Sequence, residues 1–307
     1  MGCYSVLKQH EHAHDDAIWT VSWVSPTSII TGSLDTTAKV WNLQTQVGDL
    51  KLAEDRVFDG FALGVISTDV APRSSVVAIA AMDSKIRLLD LAQPAESCEL
   101  KIIDASPVDS WKIKFSADGK QIATGSISGK INLYSTNPGS DTTRTQLDAG
   151  KFAYSVDFSP DGRLLAAGNV AGIVSVFDLE TQKLLTNIDG HALPVRSIAF
   201  SPDSNLLISG CDDTQIKIHD PRRAESIKTL SGHASWILDL NFAPNGSHFA
   251  SGSSDKSVKI WDMTSFECIQ TFGHHANQVT GVRYDPNGSR LASVSDDSSI
   301  VIYEHIK

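Results

Sequence analysis

No stretch of this chain stays apolar for the roughly 20 residues a helical membrane span needs, and its N-terminus lacks the apolar core of a secretory signal. Basic charge is in deficit: 26 Lys and Arg stand against 36 Asp and Glu, a formal net charge of -10 over 307 residues. Tracking a phosphate backbone takes a basic stripe, so direct nucleic-acid binding is not expected, whereas a partner presenting Arg or Lys is. Cysteine is scarce as well. Cys3, Cys98, Cys211 and Cys268 are scattered without paired spacing, which fits free thiols in a reducing compartment, the cytoplasm or the nucleus. A chain of this size hides roughly three quarters of its unfolded surface, so its core needs neither disulfide nor metal.

What the chain has is repetition. Thr229–Met263 contains Gly232-His233, an apolar run, the turn Ala243-Pro244-Asn245-Gly246, a second run, Asp255, a third run and Trp261-Asp262. Near-alternate apolar residues flanking Pro-Asn-Gly spell antiparallel hairpins. One such small sheet cannot bury both of its faces. The place of Trp261 recurs as Trp41, Leu89, Tyr134, Phe177, His219, Trp261 and Tyr303, with steps that settle at about 42 residues, the period of a four-stranded propeller blade. Six residues before each stand Asp35, Asp83, Ser128, Ala171, Asp213, Asp255 and Asp297. Turn signals such as Ser159-Pro160-Asp161-Gly162 and Asp285-Pro286-Asn287-Gly288 keep the same register. The expectation is an all-β, seven-bladed β-propeller filling residues 1–307 as one domain.

After Tyr303 the chain stops too soon for a fourth strand, while Tyr4, Val6 and their neighbours read as a strand. The N-terminal strand is therefore expected to complete the last blade and close the ring. Met1-Gly2-Cys3 invites an acylation reading, but Val6 stands where that pattern wants Ser or Thr. His10-Glu11-His12-Ala13-His14 resembles a metal cluster, yet His14 aligns with His191, His233 and His275 at the entry to a blade. No metal and no cofactor is called for. The polar segments Gln44–Val57 and Ser135–Gln146 read as spacers between strands, with Asn137-Pro138-Gly139-Ser140 as an exposed loop.

His14, Thr31, Asp35 and Trp41 in the first blade, and His233, Ser251, Asp255 and Trp261 in the sixth, resemble the hydrogen-bonded relay of WD-repeat proteins. The resemblance implies that Asp accepts from His, His reaches the hydroxyl, and the hydroxyl meets the indole N–H. A Ser-His-Asp set also invites a hydrolase reading. Repetition around a ring serves a scaffold rather than an active site, so these residues are read as structural and the chain as not an enzyme. Blades two to four are degenerate, with Phe61, Ser106 and Ala149-Gly150 near the expected His.

A blade's first strand lines the channel, and its opening residues sit at the rim. Aligning the repeats places Trp19, Ile66, Trp111, Tyr154, Arg196, Leu238 and Thr280 there, with Asp109, Phe152 and Trp236 two residues before their counterparts. Trp, Tyr and Arg dominate interface energetics. With Asp16, Asp109, Asp212 and Asp296 nearby, this rim suits a short peptide carrying an Arg and an apolar anchor, and its aromatics need no role in packing.

Over nearly the whole chain, segments such as AHDDAIWTVSW, AGKFAYSVDFSPDGRLLAAG and LSGHASWILDLNFAPN look like the WD-repeat subunit family of the superkiller (Ski) complex. In animals that family also belongs to the RNA polymerase II-associated factor (Paf) complex. The resemblance implies a scaffold docked on a tetratricopeptide subunit beside a helicase, in exosome-linked 3′–5′ mRNA decay in the cytoplasm. It also implies a nuclear role in transcription elongation and histone methylation, and a docking face for a short Gln-Arg-containing motif. A different reading starts from Asp220-Pro221-Arg222, similar to the signature of substrate receptors of cullin-RING ubiquitin ligases, although His219 stands where that signature has Trp.

Overall fold

The computed structural model describes residues 3–46, 49–105, 111–137, 139 and 145–306. The chain opens with β1 (Cys3–His10) and enters blade one as β2 (Ile18–Ser25), β3 (Ser28–Ser33), β4 (Ala38–Gln46) and β5 (Asp49–Phe58). Blade two is β6 (Val65–Val70), β7 (Val76–Ala81), β8 (Lys85–Asp90) and β9 (Glu99–Asp104). Blade three is β10 (Ile113–Phe115), β11 (Gln121–Gly125), β12 (Lys130–Ser135) and β13 (Thr145–Asp148). Blade four is β14 (Ala153–Phe158), β15 (Leu164–Asn169), β16 (Ile173–Asp178) and β17 (Lys183–Asp189). Blade five is β18 (Val195–Phe200), β19 (Leu207–Cys211), β20 (Gln215–Asp220) and β21 (Glu225–Ser231). Blade six is β22 (Ile237–Phe242), β23 (His248–Ser253), β24 (Val258–Asp262) and β25 (Cys268–Phe272). Blade seven takes β26 (Val279–Tyr284), β27 (Arg290–Ser295) and β28 (Ile300–Ile306).

Seven four-stranded antiparallel sheets result, and the seventh runs β1-β28-β27-β26. The N-terminal strand thus closes the ring as the periodicity predicts, with Val6 opposite Tyr303. Gln270 of blade six clamps it, accepting from the Tyr4 amide at 2.9 Å and donating to the Tyr4 carbonyl at 2.6 Å. The innermost strands pack in sequence around the ring, and β26 returns to β2.

Each inner strand has an edge whose amides no sheet partner satisfies. Side chains from the inner strand of the preceding blade meet them. Phe115 N donates to Asp69 at 2.8 Å, Phe200 N to Asp157 at 2.8 Å, Leu240 N to Ser197 at 3.0 Å, and Tyr284 N to Asn241 at 2.8 Å. Close blade packing also explains a glycine on the second strand. A Cβ at Gly125 would lie 2.3 Å from the Ala153 carbonyl, and one at Gly210 would lie 2.6 Å from Ile237.

The seven Trp-equivalent side chains are all buried. In blade one His14 meets Asp35 at 2.8 Å and Thr31 at 2.8 Å, and Trp41 donates to Thr31 at 2.9 Å. In blade six His233 meets Asp255 at 2.8 Å and Ser251 at 2.6 Å, and Trp261 donates to Ser251 at 2.8 Å. Both ring nitrogens of His14 are therefore engaged, which removes it from any metal set. Burial pushes the His14 imidazole below its ordinary value, with Asp35 acting in the other direction.

The relay extends further than the sequence reading placed it. In blade five His219 stands for the indole, meeting Ser209 at 2.7 Å while Ser209 meets His191 at 2.7 Å. In blade seven the Tyr303 hydroxyl lies 3.2 Å from Ser293, which meets His275 at 2.7 Å. Blade two uses different chemistry. Phe61 is buried under the Arg87 guanidinium at 4.5 Å, and Arg87 pairs with Asp83 at 2.7 Å. Ser106 lies outside the described residues.

One spacer needs correcting. Residues 44–57 belong mostly to an extended β4–β5 hairpin paired as far as Gln46 opposite Asp49. Leu50 and Leu52 alternate inward and join Leu43 in a core cluster, so an apparently polar run carries a buried apolar face. In Ser135–Gln146, Ser135 ends β12 and residues 145–146 open β13, while Pro138 and 140–144 lie outside the described residues.

Candidate functional site: the rim pocket

On six inner strands the pairing with the second strand slips by one residue near the start. The slips fall between Ile18 and Thr20, Val65 and Ser67, Ala153 and Ser155, Val195 and Ser197, Ile237 and Asp239, and Val279 and Gly281. A bulge releases one residue from the ladder and re-aims its side chain. The released residues are Trp19, Ile66, Tyr154, Arg196, Leu238 and Thr280. With Trp111, just ahead of β10, they line one concavity of about 170 Å³, together with Lys112, Trp236 and Gln278. The seven aligned positions and Trp236 are therefore in one pocket, to which all seven blades contribute, while Phe152 does not line it.

The rings touch. Trp19 and Trp111 lie edge-on at 6.3 Å between centroids, Trp111 and Phe152 at 5.8 Å, and Phe152 and Tyr154 at 4.2 Å. Trp19 and Trp111 also lean on the core cluster that contains Ile66, so these two aromatics do take part in packing, contrary to the expectation. Trp236 is different, with 48% of its surface exposed. Arg196 sits between Tyr154 and Trp236, its guanidinium carbon 4.9 Å and 5.1 Å from the two ring centroids.

The acids divide. Asp212 was expected to receive a partner's Arg, but it is only 7% exposed and grips Arg196 through two bonds of 2.7 Å and 2.8 Å. That bidentate pair raises the Arg196 guanidinium and leaves Asp212 as an internal counter-ion. Asp296 takes the Gln278 amide on one oxygen, and its other oxygen is buried with no hydrogen-bond partner among the described residues. Burial raises its carboxyl, with Asp16 and Asp297 adding to the effect and the neighbouring Gln278 and Trp19 side chains opposing it. Asp16 is exposed and caps the Ala17 amide at 2.7 Å. Asp16 is thus the exposed acid of the rim, with the largely covered Asp296 behind it. Asp109 lies outside the described residues.

Sequence reasoning missed the floor. Lys112 of blade three crosses the channel to Asp239 of blade six at 3.2 Å, and Arg283 of blade seven meets the same carboxylate. Burial works against charge on Asp239, but Arg283 and Lys112 outweigh it and hold the carboxyl at about 2. Lys112 lines both the rim pocket and a lower chamber of about 300 Å³ that contains Asp157. The signal was present in sequence: the residue after each rim position is small or short except at Lys112 and Asp239.

At the end of blade five, Arg222 is engaged within the chain. It reaches the Ser204 carbonyl at 3.4 Å, Asn205 at 3.3 Å and Asp161 at 3.3 Å.

Comparison with known proteins gives the same architecture. The chain is 40% identical over 201 residues to the WD repeat-containing protein SL1-17 of Schistosoma mansoni, covering 64% of each chain. It is 35% identical over 210 residues to the WD repeat-containing protein VIP3 of Arabidopsis thaliana, covering 62% of this chain and 63% of that one. Superkiller complex protein 8 of Dictyostelium discoideum is 38% identical over 104 residues, 34% of this chain and 32% of its own. The first two matches span a little under two thirds of those relatives' lengths. The repeat profile described as WD domain, G-beta repeat matches residues 3–42, 99–135, 144–178, 182–220, 224–262 and 266–304. The stretch between the first two matches holds most of blade two, where Phe61 and Leu89 replace the relay. With six matched repeats in a seven-bladed ring, this chain belongs to the WD domain, G-beta repeat family, whose propellers serve as protein-interaction scaffolds.

Proposed function

We propose that this propeller is the docking scaffold of a superkiller-type complex, seated on a tetratricopeptide subunit beside the helicase that feeds 3′–5′ mRNA decay. The same face serves a second assembly of the Paf type, so the protein works in both cytoplasm and nucleus. The observation that carries the docking reading is the rim pocket: seven bulge-aimed or rim residues converge around exposed aromatic surface next to an acidic pole. A short peptide fits it, its basic residue at Asp16, with the charge of Asp296 behind, and its apolar anchor on Trp111, Phe152 and Trp236. The choice of assembly is supported by the likeness to superkiller complex protein 8 over a third of the chain and by the segment resemblances noted above.

The ubiquitin-ligase receptor reading has less support, since Arg222 of its signature is engaged across blades four and five. Affinity purification of the tagged protein followed by mass spectrometry separates the two. Recovery of tetratricopeptide and helicase subunits is expected. Recovery of a cullin adaptor in their place would overturn the assignment.

A further inference from the structure

We infer that Arg196 is a positioning residue for docking: anchored by Asp212, its guanidinium holds the Trp236 ring in place for the partner and is not itself the group the partner seeks. This rests on the docking reading and names what makes its most exposed anchor competent.

Trp236 is the rim aromatic with the least support. Its backbone is fixed, because its carbonyl accepts the Ser254 amide at 2.9 Å. Its ring is not: among the described residues the indole N–H meets no acceptor and no other aromatic lies against it, whereas Trp19, Trp111, Phe152 and Tyr154 touch one another. What the ring does meet is Arg196, whose guanidinium carbon lies over it at 5.1 Å from the centroid. A half-exposed side chain free to change rotamer must be frozen on binding, which costs affinity. A cation held against one face removes that freedom beforehand.

Arg196 can do this because it is itself held. The bulge between Val195 and Ser197 releases it from the ladder, and its Nε and one terminal nitrogen donate to the two oxygens of Asp212 at 2.7 Å and 2.8 Å. Asp212 is buried, and its amide is tied to the Pro194 carbonyl at 3.0 Å. Tyr154 of blade four backs the guanidinium at 4.9 Å. A two-bonded fork fixes the plane of the cation as well as its place, which an ammonium would not. Since Asp212 already meets the charge, the effect of Arg196 on a partner runs through Trp236. The repeats agree. Of the seven aligned rim positions only Arg196 is basic, and its blade has Asp212 at the turn where the others have Leu34, Met82, Ile127, Val170, Ser254 and Asp296. Blade five alone sets a base and an acid together there.

The test uses the full chain and a double variant, Arg196→Met with Asp212→Asn, which removes the ion pair without leaving a buried charge unpaired. Without any partner, NMR relaxation of the Trp236 indole N–H, assigned by its absence from Trp236→Ala, reports how ordered the ring is. It should be ordered in the wild type and clearly more mobile in the double variant, with Arg196→Lys between them. Against a purified tetratricopeptide subunit the double variant is expected to bind at least about fivefold more weakly. The same two changes made in Trp236→Ala should alter affinity by less than about twofold, because no ring is left to position. Melting curves check that the propeller stands in each variant. Equal indole order in wild type and double variant overturns the inference, as does a loss of binding that persists in full in Trp236→Ala, which would make Arg196 a direct contact. If Trp236→Ala alone binds as the wild type does, the docking reading falls, and the inference with it.

Discussion

Removing the carboxylate of Asp255 isolates what one relay contributes. Asp255 receives His233 Nδ1 at 2.8 Å, the Ala234 amide at 2.9 Å, the Ser257 amide at 2.9 Å and the Ser257 hydroxyl at 2.6 Å. The His233 side chain is 0% exposed, so in Asp255→Ala its Nδ1 exchanges the carboxylate for the more distant Ser257 hydroxyl at 3.3 Å, whereas the Ala234 amide belongs to an exposed residue and can turn to water. Taking the charged acceptor from a buried imidazole costs about 1–3 kcal/mol. For a chain of this length, unfolding entropy makes 1 kcal/mol worth roughly 2 °C, so the melting temperature should fall by about 2–5 °C by scanning calorimetry. Blade four tolerates Ala171 at the same place because it has no such His to serve. The pH dependence follows from the carboxyl being held below its ordinary range: burial opposes the charge, and the bonds from His233, Ser257 and Ala234 outweigh it. Its contribution is therefore complete above about pH 4 and is lost as pH falls toward the folded value. The deficit of the variant should be constant from pH 6 to 8 and shrink only below about pH 4. A variant that melts with the wild type at pH 7 would refute the relay as a structural element.

Asp157 carries the opposite sign: burial raises its carboxyl to about 6, with Lys114 acting against that rise. The raised value means a cost above pH 6 that fades as pH falls toward about 4. Asp157→Asn should thus gain about 1–3 kcal/mol at pH 7.5, with the two proteins converging near pH 4; a variant less stable at pH 7.5 contradicts this. The ring closure is tested by Gln270→Ala, which removes both bonds to Tyr4. Hydrogen exchange should accelerate in β1 before the rest of blade seven, and unchanged protection of β1 would show that the clamp is idle.

The number of blades, the closure and the rim positions were legible in the sequence because each is written as a periodic residue type. Trp261, Asp255 and Pro244-Asn245-Gly246 each report a local backbone requirement, repeated until it could not be missed. The relays of blades five and seven were harder to read, since His219 and Tyr303 supply a polar atom by a different side chain at the same depth. The β4–β5 hairpin was read as a spacer because Leu50 and Leu52 are diluted by charged neighbours that face away from the core. Long-range pairings were hard to read for another reason. The repeat alignment marks Lys112 and Asp239 as unusual, but nothing local to either announces that they meet across 127 positions, and nothing in Asp212 says that Arg196 already holds it. Both depend on curvature that appears only once the ring is closed.

The central claim is that the rim pocket is where partners dock, and Trp236 tests it most directly, because it is the most exposed of the rim aromatics and its removal opens no core cavity. Calorimetric titration of a purified tetratricopeptide subunit into wild type and Trp236→Ala, with melting curves of both, is the decisive measurement. At least tenfold weaker binding is expected, with a melting temperature within about 2 °C of wild type, the behaviour of an interface anchor that the fold does not need. Undiminished binding by Trp236→Ala would contradict it.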